Sequence, residues 1–219
     1  MKKNNSILTI LVLTAILFST LGYAQTVTIG TQVWTTKNLD VSTYRNGDVI
    51  PQVQDKDAWK NLTTGACYYE YKDASNGTKY GKLYNWYAVN DPRGLAPNGY
   101  HIPTDKEWTK LQDYLAYSPY GVDRKSFPGT KMKSTSGWEK NYNGITKYYN
   151  GTNSSGFFGL PGGYHSSGSF ISIGGGGYWW SSTETNTNYA WGRYLGADVT
   201  VGRDVRNKMD GSSVRCIKD

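Results

Sequence analysis

Residues 104–116 read TDKEWTKLQDYLA, and this stretch decides the fold class. Thr104 and Glu107 stand at the spacing of a capping box, in which a hydroxyl and a carboxylate each satisfy an amide orphaned at a helix start. Pro103 stands just before them, and Trp108, Leu111 and Leu115 recur at i, i+3 and i+7 as one apolar face. The spacing predicts a helix over 104–116. Downstream, residues 117–177 are punctuated by Pro119, Gly121, Pro128-Gly129, Gly137, Gly144, Gly151, Gly156, Pro161-Gly162-Gly163 and Gly174–Gly177. That density of turn residues predicts long loops with short strands and no useful helix. YWWSS at 178–182, AWGRYL at 190–195 and VRCI at 214–217 read as closing strands, with a fourth around Asp198–Arg206. Upstream, 26–40 alternate about Gly30 as two short strands, and Asn46-Gly47-Asp48 is a hairpin-type turn before a strand at Val49–Val53. Asp55 caps a short helix within 55–62, and YGKLYNWYAV at 80–89 reads as a buried aromatic strand or short helix. The class is α+β.

Composition agrees. The 219 residues hold 8 Trp, 19 Tyr and 26 Gly, and charged residues make up only 19 %. Large half-apolar rings therefore build the core in place of leucine, which excludes a helical bundle or coiled coil. No internal repeat stands out.

Residues 1–24 read as a secretory signal: Lys2 and Lys3, an apolar run Ile7–Phe18, and small residues at Gly22 and Ala24, with cleavage expected after Ala24. The run is too short to span a bilayer comfortably, and no second apolar stretch follows, so no membrane span is expected after cleavage. Residues 25–219 then form one domain. The protein is expected to be exported to the periplasm, the cell surface or the medium, away from nucleic acid. Cleavage lowers the net charge from +7 to +5, mildly favourable toward acidic polymers. In an oxidising compartment the even pair Cys67 and Cys216 reads as a disulfide closing about 150 residues, with about 5 kcal/mol of stabilisation in the chain-entropy picture. Two buried free thiols are the alternative.

Chemistry is sparse. Glu107 is explained by the capping box. Glu184 has Glu70, Asp198, Asp204 and Asp210 as possible neighbours, but nothing in the spacing sets the paired carboxylates a glycosidase needs. His101 and His165 lack metal-ligand spacing and read as turn-packing residues, and Gly174–Gly177 as a turn. No cofactor is expected. Structural calcium is conceivable at Glu184, Asn186 and Asn188, whose side-chain oxygens suit a hard cation.

Five ordered blocks carry a resemblance. They are IGTQVW at 29–34 with KNL at 37–39, YGKLYNWYAV at 80–89, PNGYHIPTDKEWTKL at 97–111, FFGLPGG at 157–163, and YWWSSTE at 178–184 with SVRC at 213–216. Together they resemble the Fibrobacter succinogenes major paralogous domain family over nearly all of 28–219, with Ala96-Pro97 where many relatives carry Cys-Pro. The resemblance implies a surface or secreted module. HIPTDKEW and SVRC are also similar to blocks of the formylglycine-generating-enzyme and C-type lectin-like superfamily. That similarity implies an α+β, C-type lectin-like fold, with a twisted antiparallel sheet, one or two helices and long glycine-rich loops. It does not transport catalysis.

The expectation is a non-catalytic binding module for a glycan or a surface or extracellular protein, with a glycan-processing enzyme or an adhesive component as alternatives. The expected surface lies in 174–193. Glu184, Asn186, Asn188 and Tyr189 form a polar loop, and Trp191 and Arg193 share a strand face as a stacking platform. The alternative makes the tryptophans core, the loop a surface turn, and the 117–156 loops the site.

Overall fold

The structure is a computed structural model that describes residues 25–68, 74–116 and 127–219. The signal reading of 1–24, Glu70 and the loop residues 117–126 lie outside the described residues.

The chain opens on a hairpin of β1 (Thr26–Ile29) and β2 (Gln32–Thr35), turned by Gly30 at φ +62°. Helix α1 (Lys56–Lys60) starts where Asp55 Oδ1 accepts the Ala58 amide at 2.7 Å. No strand forms at 49–53. Pro51 has no N–H to give a ladder, and only isolated bridges, Thr43–Val49 and Gln52–Cys67, remain. Next come β3 (Cys67–Tyr68), α2 (Ala74–Tyr80), β4 (Leu83–Tyr84), α3 (Trp86–Val89) and β5 (Tyr100–His101). The aromatic run 80–89 is thus strand and helix in succession, switched at Asn85, whose buried side chain caps α3.

Helix α4 (Asp105–Ala116) is the expected one. Thr104 Oγ1 accepts the Glu107 amide at 3.3 Å, and Glu107 Oε2 accepts the Thr104 amide at 2.7 Å. Trp108, Leu111 and Leu115 are buried on one face. A five-residue α5 (Pro128–Met132) follows, inside the stretch expected to lack helix. The described residues hold five helices rather than one or two, but only α4 exceeds two turns. The hairpins β6–β7 (Glu139–Tyr142, Ile145–Tyr148) and β8–β9 (Tyr164–Ser166, Ser169–Ile171) precede the meander β10 (Gly177–Glu184), β11 (Tyr189–Leu195) and β12 (Gly202–Asn207). The chain ends in β13 (Ile217–Lys218).

The strand pairs are antiparallel. They form a four-stranded sheet β1-β2-β13-β5, a three-stranded sheet β10-β11-β12, and separate pairs. Trp179 and Trp180 point to opposite faces of β10, and both are fully buried. Trp180 enters a core cluster with Tyr84, Trp86 and Val214; Trp179 enters another with Trp34, Trp108 and Phe157. The middle of β10 is covered on both sides, so Trp179 and Trp180 are core, whereas Trp191 on β11 is only partly buried.

The expected disulfide is not formed. Cys67 and Cys216 are free and each is 1 % exposed. Cys67 belongs to the β3–β4 pair, while Cys216 exchanges bonds with Thr35 on β2. Each is fixed by its own backbone pairing within one apolar cluster, where a thiol packs as a small hydrophobe. Burial raises the Cys67 pKa to about 11 and that of Cys216 to about 12, so both stay protonated. Among the described residues, no helix is long and apolar enough to cross a membrane.

Candidate functional site

Gly192 lies at the centre of the meander, opposite Trp180 on one side and Asp204 on the other. A Cβ there would come within 2.9 Å of Arg206 Cδ. The bare backbone lets the Arg206 side chain lie flat across the sheet, its guanidinium 4.1 Å from the Tyr164 ring centroid and 4.8 Å from that of Tyr178. Arg206 is only 6 % exposed. Its Nε is buried without a hydrogen-bond partner, and its two terminal nitrogens reach Asp204 and Asp210 at 3.8 and 3.9 Å, beyond hydrogen-bond range. A buried guanidinium normally has its fork of donors filled.

This side chain forms part of the wall of an open cleft of about 450 Å³ between α1, the β8–β9 hairpin and β12, lined also by Trp59, Tyr164, Tyr189, Asp204 and Asp210. Trp59 is locked in place by its indole N–H, which donates to the Met209 carbonyl at 2.7 Å. Burial raises the Asp210 pKa, outweighing a hydrogen bond from Ser166 and the charge of Arg206. Asp204 is half exposed. The cleft therefore offers aromatic rings, the Arg206 guanidinium, two carboxylates, and the half-exposed Lys60, whose ammonium lies 3.5 Å from Asp57.

Of the six residues expected to bind, only Tyr189, at 41 % exposure, lines this cleft. Glu184 is held by Lys208 at 2.7 Å, and the Lys208 ammonium also lies over Trp86. Asn186 Oδ1 accepts the amides of Asn188 and Tyr189, which makes it a turn former. The Asn188 carbonyl accepts the Lys208 amide. Trp191 and Arg193 do share a face, but that face packs on α4. Arg193, 1 % exposed, donates to Asp105, Thr109 and Gln112. Arg203 stacks on Trp191 at 3.3 Å and pairs with Asp105 at 2.9 Å. The platform exists, and its donors are used inside the fold. Arg206, Trp59 and Tyr164 gave no local signal; Gly192 between Trp191 and Arg193 is the one hint that something crosses the strand.

A second polar cluster joins α4 to the C-terminus. His101 bridges Glu107 at 2.9 Å and Asp219 at 2.7 Å instead of bonding backbone beside a turn. Partial burial opposes its protonation, but the two carboxylates outweigh it and raise its pKa. Burial pushes Glu107 the other way, yet the Thr104 amide and His101 hold its pKa low. Among the described residues, no group of three or more His, Cys, Asp or Glu could hold a metal ion.

Residues 27–218 match the family model described as the Fibrobacter succinogenes major domain. No curated protein and no solved structure matches the chain.

Proposed function

The chain belongs to the Fibrobacter succinogenes major domain family, and from that premise we propose that it is an exported, non-catalytic binding module that takes a saccharide in the Arg206 cleft. The single observation that carries this reading is Arg206: a buried guanidinium stacked on tyrosine in the wall of an open cleft, with its Nε unpartnered and its terminal nitrogens beyond hydrogen-bond range of Asp204 and Asp210. A planar fork beside carboxylates matches the vicinal hydroxyls of a sugar, which both donate and accept. Tyr189 and Tyr164 supply apolar ring surface for the sugar's C–H face. Arg206 and Lys60 balance Asp204 and Asp210 on the walls, which favours a neutral sugar over an acidic one. Export is supported by the charged and apolar pattern of 1–24. A C-type lectin-like form of the α+β fold is supported by the antiparallel sheets, the capped helix and the long loops.

The test is a glycan array probed with the protein, followed by titration of the best ligand. Tyr189→Ala and Arg206→Lys, the latter keeping charge but losing the fork, should each weaken binding at least tenfold. Tyr189→Ala should leave the thermal midpoint unchanged. Wild-type binding by both variants, or no saccharide bound at all, would sink the proposal. A hydrolytic reading draws on the same carboxylates, since Asp210 has a raised pKa and Asp204 is exposed. The Arg206 charge lies within 4 Å of both, which favours binding over turnover. Release of reducing ends from the bound glycan, abolished by Asp210→Asn, would reverse that preference.

A further inference from the structure

A second cleft, of about 770 Å³, shares no residue with the first. It lies between the segment after β2, the end of α2 and the loop 153–160, with Lys37, Lys79, Gly81, Gly137, Phe158 and Leu160 on its walls. Glycines open it: at Gly81, φ +75°, a Cβ would come within 2.9 Å of the Leu39 carbonyl.

Phe158 is the anomaly. Its φ is +55°, a left-handed conformation that bulky side chains avoid. Two clamps hold it there: its amide donates to Asn153 Oδ1 at 2.8 Å, and its carbonyl accepts from Arg215 Nη2 at 3.0 Å. While its neighbour Phe157 is fully buried, the Phe158 ring is turned outward at 43 % exposure beside the cleft. Strain maintained by specific clamps, with an apolar ring held in water as the result, is a pattern of recognition sites.

The charges are one-sided. Asp40, the one carboxylate on the walls, is taken by Lys82 at 2.9 Å. Among the described residues, Lys37 and Lys79 have no carboxylate within ion-pair distance. Behind the wall, the fully buried Arg215 bonds only to carbonyl and amide oxygens. The key wall acceptors are already engaged: Asn38 Oδ1 receives Trp179 and Arg215, and Asn153 Oδ1 receives Phe158. A hydroxyl-rich sugar would find few partners here.

We propose that this cleft docks an acidic protein segment, with an apolar side chain set against Phe158 and Leu160 and flanking Asp or Glu residues paired with Lys37 and Lys79. The volume suits two or three side chains.

The probe is a phage-displayed random hexapeptide library panned on the whole protein. Enriched sequences should combine Phe, Leu, Ile or Tyr with Asp or Glu. The synthesised best peptide should lose at least tenfold in affinity to the Lys37→Glu/Lys79→Glu double variant, and lose its salt sensitivity with it. Phe158→Gly should weaken binding comparably while holding the thermal midpoint at or above wild type, because glycine accepts the left-handed backbone. Arg206→Lys should leave peptide affinity unchanged, which separates failure here from failure of the saccharide reading. The proposal is overturned by the absence of enrichment, by peptides without acidic bias or indifferent to the two lysines, by a midpoint that falls in Phe158→Gly, or by a uronic or sulfated oligosaccharide that binds through the same lysines while peptides do not.

Discussion

At the residue scale, single side chains carry most of what is specific here. Cys67 and Cys216 are buried, protonated thiols. A thiol reagent at mild pH should therefore modify neither in the native protein and both after denaturation without reductant. Fewer than two modified thiols would mean a bridge exists in solution. The even count and the expected export pointed to a disulfide because neither carries information about which strand each cysteine joins. Arg206 illustrates the same limit. Its stacking on Tyr164 depends on Gly192, on another strand, leaving a space that only the register of β11 on β12 reveals.

At the element scale, α4 is the part most open to reading in advance, because its cap and its apolar face lie within thirteen consecutive residues. Thr104→Ala should cost about 0.5–2 kcal/mol by removing the cap, and Leu111→Ala about 2–5 kcal/mol by leaving a cavity under the helix. Urea unfolding curves measure both. The cap is also coupled to pH through His101. Its pKa is raised above 6.5 in the fold, so its contribution is full below pH about 6.5 and is lost as pH climbs through the folded value. Glu107 works in the opposite sense. Its pKa is lowered below 4.5, so its contribution is present above about 4.5 and disappears as pH falls through the folded value. The thermal midpoint should pass through a maximum between these limits. His101→Gln should flatten the decline on the alkaline side, and a decline unchanged in that variant would remove His101 from the account. The meander was nearly as readable, its strands appearing within a few residues of expectation. The last strand was not: 214–217 read as a strand, but Arg215 turns fully inward as a clamp, and the regular ladder is confined to Ile217–Lys218.

At the scale of the whole molecule, long-range assembly hid both clefts. The Arg206 cleft takes Trp59 from α1, Tyr164 from a hairpin and Asp204 from β12. No periodicity spans such separations, whereas the ordered blocks that mark the family do. Burial lowers the Arg215 pKa to about 9, and its guanidinium donates to Asn38, Thr35, Phe157 and Phe158. Arg215→Met would leave those oxygens without their donors inside the core. It should cost about 3 kcal/mol or more, read from the urea midpoint, since each abandoned buried group carries its own desolvation penalty. The bond from Arg215 to the Thr35 carbonyl spans 180 residues, and Ile217 pairs with Trp34 beside it. Closing so long a loop precedes any reward from the contacts it makes, and proteins dominated by such pairings refold in milliseconds to seconds rather than microseconds. A chain emerging from the ribosome thus holds the β1–β2 hairpin without β13 until Ile217 is free, about 180 residues after β2. The first hairpin made is among the last to be enclosed.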